Sequence, residues 1–132
     1  MTAVRTPDVA EPPRPAMFSN ARAVGDQFFS SGMHAGDGTG GILGDGSTYD
    51  QTRQALLKIR HLVTAAGGQM DDIVTLRVYV TDISDKAEVG RARAEFFTGD
   101  FPCSTLVEVS GFVDRDLTVE IEAQGIIGSS AQ

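Results

Sequence analysis

Apolar residues recur at every second position in some stretches of this chain and at helical spacing in others, with polar or glycine-rich segments between. Leu76, Val78 and Val80 alternate with polar neighbours and predict a strand from about Ile73 to Thr81. Two further strands are predicted near the C-terminus, in Phe101-Pro-Cys-Ser-Thr-Leu-Val-Glu-Val-Ser-Gly111 and in Leu117 to Ala123, with Gly111 to Asp116 between them. Alternation puts Thr105, Val107 and Val109 on one face of the first and Ser104, Leu106 and Glu108 on the other. In the second, Val119, Ile121 and Ala123 oppose Thr118, Glu120 and Glu122. Phe18 to Val24 and Gln27 to Met33 read as a hairpin turning at Gly25-Asp26. Ala55, Leu56, Ile59, Leu62, Val63 and Ala66 form a 3.6-period stripe, capped by Ser47 or Thr48 and stopped at Gly67-Gly68. Ser84 is placed to cap a second helix ending near Phe97.

The order is two strands, helix, strand, helix, two strands. Each later strand has one apolar face, so an α+β fold follows: a mixed sheet with two helices packed on one side. The other side is expected to carry Arg77, Tyr79, Glu108, Thr118, Glu120 and Glu122, either solvated or turned towards other subunits. Met1 to Pro15 holds four of the five prolines, so residues 1–16 read as a disordered or draped arm. Residues 17–128 form a single domain and 129–132 a flexible tail. Gly36 to Gly46 reads as a mobile loop.

Charge and composition narrow the chemistry. The net charge is −7, and the eleven basic residues are scattered, which disfavours nucleic acid as a partner. No apolar run approaches the roughly 20 residues of a membrane span, and a cytoplasmic location is the default. Cys103 is the single cysteine, so no intrachain disulfide forms. With His34 and His61 far from it in sequence, no zinc pattern exists. The Gly36–Gly46 stretch lacks the lysine of a phosphate loop. No cofactor is expected.

Glu120 and Glu122 leave the same side of one strand, about 7 Å apart along it. Two acids there, beside a Pro-Cys-Ser-Thr strand entrance, make either a site or the wet face of a sheet. Cys103 would need a nearby base to act as a nucleophile, and no histidine adjoins it, so it reads as pocket lining. Glu122 reads as structural, and His61 as solvated.

Several of these stretches resemble the Rid (RidA/YjgF) family. Phe101-Pro followed by Ser-Thr-Leu-Val-Glu-Val, with Glu120-Ile-Glu-Ala123 beyond the turn, is similar to that family's C-terminal signature. Phe28-Phe-Ser-Ser-Gly32, Gln51-Thr-Arg-Gln-Ala-Leu56, Ala65-Ala-Gly-Gly68, Asp71-Asp-Ile-Val74, Val78-Tyr-Val-Thr-Asp-Ile83 and Ala94-Glu-Phe-Phe97 follow in matching order, from about Phe18 to Ile127. The resemblance implies a homotrimer with ligand clefts between subunits, acting on a reactive imine, enamine or carbonyl metabolite. Glu120 matches the glutamate that positions water, and Ser31 and Gly32 match the adjoining strand end. Ser104 stands where the deaminases carry a carboxylate-binding arginine, Thr105 replaces the following serine, Phe18 replaces a tyrosine and Gly90 an asparagine. The chain therefore resembles an arginine-lacking branch rather than the deaminase subgroup proper. Glu120 is the expected catalytic residue, with Ser104, Thr105, Cys103, Phe18, Ser31, Gly32, Arg77 and His34 as substrate-binding candidates. Arg77 would supply the missing positive charge or form only a cross-strand ion pair; Arg91 and Arg93 are secondary anion contacts. Hydrolysis is the leading reaction, tautomerisation or dehydration would use the same glutamate, and the alternative is a non-catalytic ligand-binding or protein-interaction trimer.

Overall fold

The computed structural model describes residues 2–131. Six strands form one sheet: β1 (Thr2–Val4), β2 (Ala21–Val24), β3 (Gln27–Ser30), β4 (Ile73–Val80), β5 (Cys103–Glu108) and β6 (Val119–Ile126). Their order across the sheet is β1-β2-β3-β6-β4-β5, with every pairing antiparallel except β4 with β5. Two α-helices accompany it, α1 (Thr48–Ala65) and α2 (Lys86–Arg93).

The long helix follows its sequence signals closely. Ser47 caps α1 by accepting from the Asp50 amide, and the apolar stripe from Ala55 to Val63 is fully buried. The helix ends in paired bonds, Gly68 N–H to the Val63 carbonyl and Gly67 N–H to the Thr64 carbonyl, the reversed pair of a Schellman stop. This stripe lies against Phe28 of β3, Leu76, Val78 and Val80 of β4, and Val119, Ile121 and Ala123 of β6 in one continuous core.

Four expectations need correction. The edge strand β5 faces the other way round: Leu106 packs on the core while Val107 is 42% exposed. Parallel pairing with β4 aligns Leu106 with Val78, and Thr105 and Val107 with Arg77 and Tyr79, so Ser104 and Glu108 share the helix-covered side. Glu108 accepts there from the Ile83 amide. Thr118, also expected on the polar side, meets the start of α1, with its hydroxyl 2.8 Å from that of Thr48. The second helix is shorter than predicted. A 3-10 turn at Ile83–Asp85, capped by Asp82 rather than Ser84, precedes α2. After Arg93 the chain tightens again (Phe96 N–H to the Arg93 carbonyl), which turns both Phe96 and Phe97 inward.

The N-terminal arm is laid along the domain. Thr2–Val4 pairs with β2, Val4 and Val9 are buried, and Asn20 Nδ2 donates to the Ala10 carbonyl at 3.0 Å. Asp8 lies 3.6 Å from His61 Nδ1. At the other end, Ser129–Ala131 makes a 3-10 turn in which the Ser130 amide donates to Asp72. The glycine-rich loop is tied down locally, because Asp37 Oδ1 accepts from Thr39 and Gly41.

Candidate functional site

Glu120 sits at the floor of a cavity of about 550 Å³. A reciprocal pair of backbone bonds between Met33 and Ile121, at 2.7 and 2.9 Å, locks the segment after β3 alongside β6. That pairing brings Gly32 directly over the Glu120 side chain. A Cβ at position 32 would fall 2.4 Å from Oε2 and 2.8 Å from Cγ, so only glycine leaves the carboxyl room. The arm closes a second wall with Val9, Pro12, Pro13 and Ala16. Phe18, 60% exposed, and Val113, 88% exposed, add apolar surface.

Burial disfavours the charged form of Glu120, and the nearby Glu122 adds like-charge repulsion; both push its pKa above the ordinary glutamate value. Its carboxyl therefore holds a proton closer to neutral pH than a surface glutamate does. Glu122 meets a different environment, accepting a hydrogen bond from the Tyr79 hydroxyl on the open face. That phenol is correspondingly held above its ordinary pKa, chiefly by the same bond.

His34 also lines the cavity. Its Nδ1 accepts from the Gly36 amide at 3.0 Å, which places the ring proton of the neutral form on Nε2. Burial and the Lys58 charge lower its pKa, against an opposing pull from Asp114. Lys58, on α1, donates from Nζ to the Gly36 carbonyl at 2.7 Å. Burial lowers its pKa as well, partly offset by Asp37.

The cavity thus gathers Glu120, Phe18, Ser31, Gly32 and His34 among the sequence candidates. Ser31 has both donors engaged within the chain, its amide to Asn20 and its hydroxyl to Ser19 at 2.6 Å. It offers the cavity only oxygen lone pairs. Cys103, Ser104, Thr105 and Arg77 do not line the cavity. Ser104 Oγ accepts from Arg93 Nη1 at 2.6 Å on the helix-covered side. Arg77 is exposed, opposite Glu122 and Thr105 in register, with no carboxylate within 4.0 Å among the described residues. Arg91 stacks over the Tyr49 ring at 4.1 Å. Lys58 was not among the sequence candidates; it lies next to the buried stripe of α1, where a lysine reads as a solvated flank.

The family model described as endoribonuclease L-PSP matches residues 9–127. The chain belongs to the Rid (YjgF/RidA) family. The RutC family protein PH0854 of Pyrococcus horikoshii is 35% identical over 106 residues, 80% of this chain and 83% of that protein. Among solved structures, PA3499 of Pseudomonas aeruginosa, a protein of unknown function, shares 41% identity over 96% of this chain and 92% of its own, with a TM-score of 0.86. TdcF of Escherichia coli, solved with bound serine, matches 96% of this chain and 98% of its own at 27% identity and a TM-score of 0.83. As a Rid-family member the chain is a YjgF/RidA-like small-molecule-processing protein. Its mixed sheet with two helices is the fold of these neighbours.

Proposed function

We propose that this protein is a trimeric enzyme that hydrolyses a small imine, or its enamine tautomer, in the cavity around Glu120. One observation carries the reading: a half-buried carboxyl with a raised pKa, held beneath Gly32 in a cavity of metabolite size. In the protonated form Glu120 gives a proton to the imine nitrogen; as carboxylate it takes one from the attacking water. The water oxygen bonds to the imine carbon, the carbinolamine loses ammonia, and a carbonyl compound remains. Serine bound to the relative TdcF is of the size this cavity accepts.

Trimer formation would cover the open face of the sheet around Arg77, Thr105 and Glu122. It would also bring Cys103, Thr105 and Arg77 towards a neighbour's cavity. The family description as an endoribonuclease is a less suitable reading for a chain of net charge −7. Reaction in the cytoplasm with no cofactor completes the proposal.

Imines generated in situ from several amino acids, with ammonia release followed, test the reading. Acceleration that disappears in Glu120→Gln supports it, and no acceleration with any imine removes it. A second reading, a non-catalytic binding trimer, draws on Ser104, whose hydroxyl accepts from Arg93 outside the cavity around Glu120. It predicts ligand affinity that survives Glu120→Gln with turnover never seen.

A further inference from the structure

The proposed chemistry leaves one cavity group without a task. An ammonium carries three N–H donors, and Lys58 Nζ places one on the Gly36 carbonyl. No carboxylate lies within 4.0 Å of it among the described residues. Taking a cation partly out of water is costly unless an anion or several acceptors compensate. Here the chain supplies one backbone oxygen within hydrogen-bond reach and the more distant charge of Asp37.

Of the other titratable groups lining the cavity, Glu120 is the proposed proton carrier and Glu11 is paired with Arg5 at 3.4 Å. His34 accepts from a backbone amide through Nδ1 and so stands as a neutral ring. Lys58 is the one lysine or arginine lining the cavity among the described residues. Gly36 fixes its position relative to the imidazole, with its carbonyl on Lys58 and its amide on His34. A Cβ there would lie 2.7 Å from His34 Cε1, so the close approach depends on glycine.

We propose that Lys58 is the anion anchor of the cavity, binding a carboxylate or similar oxyanion of a small ligand whose reacting carbon points to Glu120. The inference rests on the reading that the ligand sits in this cavity. It gives the arginine-lacking site a cation from α1 in place of one from the edge strand.

The test measures equilibrium binding of pyruvate and of methyl pyruvate, which share a ketone but differ in charge, to the intact protein. Wild type is expected to prefer pyruvate by at least about tenfold. Lys58→Gln should abolish that preference, and Lys58→Arg should keep most of it, which separates loss of charge from loss of fold. A wild type that binds both compounds equally, or neither, overturns the proposal. So does a preference that survives Lys58→Gln but is lost in Arg93→Gln, since the anchor would then be on α2. Borohydride trapping of pyruvate on Lys58 would also overturn it, in favour of a covalent imine on Nζ. Binding is read without turnover, so failure of the imine hydrolysis assay leaves this result standing, and the reverse holds as well.

Discussion

Glu120 and Glu122 leave the same face of β6 two residues apart, yet the regions they enter have little in common. Around Glu120 the arm, the segment after β3 and α1 close a cavity, and the carboxyl is held above its ordinary pKa. Around Glu122 lies the open sheet, with Arg77, Thr105 and Gln124 beside it and a phenol as hydrogen-bond donor. Identical side chains on one strand thus acquire different chemistry from what is laid over them. Surroundings, not residue type, mark the site.

The sharpest way to break this contrast is paired substitution. Glu120→Gln is expected to lower imine hydrolysis by roughly 10²–10⁴-fold, the usual worth of a positioned proton carrier. Glu122→Gln should stay within several-fold of wild type in the same ammonia-release assay. Equal losses would mean that the two regions act as one site.

Gly32→Ala comes next. The new methyl would displace the Glu120 side chain from Cγ outwards, and misplacement on that scale costs on the order of 10²-fold in rate. The carboxyl can swing aside, so thermal stability should change by no more than about 1 kcal/mol. A large drop in melting temperature with activity kept would show that the close approach serves folding only.

A smaller effect should appear in the pH dependence of stability. Because the folded-state pKa of Glu120 is raised, ionisation is harder in the folded than in the unfolded chain. The wild type is therefore at its best, relative to Glu120→Gln, below the ordinary value of 4.5. It should lose ground as pH rises through that value towards the raised one, then run parallel. Melting curves of the two proteins between about pH 4 and pH 7 check this. A constant difference would place Glu120 in bulk water. The smallest effect belongs to Arg77→Ala, within about 0.5 kcal/mol by denaturant titration, since Arg77 is exposed and makes no ion pair among the described residues.

Legibility in the sequence followed the physics of each element. The helix α1 and the strands β4 and β6 were readable because each buries one face, and burial imposes a period. The side on which β5 turns Leu106 was not, because this edge strand is largely exposed and alternation does not say which face is covered. The length of α2 was overread because Ala94 and Glu95 favour helix, while burial of the consecutive Phe96 and Phe97 needs a tighter turn. Glu120 and Gly32 lie in stretches that carried a motif, whereas Lys58 carried none. Only the fold of the glycine loop, through the Gly36 carbonyl, reveals that it faces the cavity.

The arm is fastened at Val4, at Val9 and through Asn20, and between and beyond those fastenings it contributes prolines and small residues to the roof over Glu120. Anchoring and roofing thus fall on different residues of one short segment. A related chain is free to rewrite the roof, and with it the choice of guest, while leaving the sheet, the helix and the acid untouched.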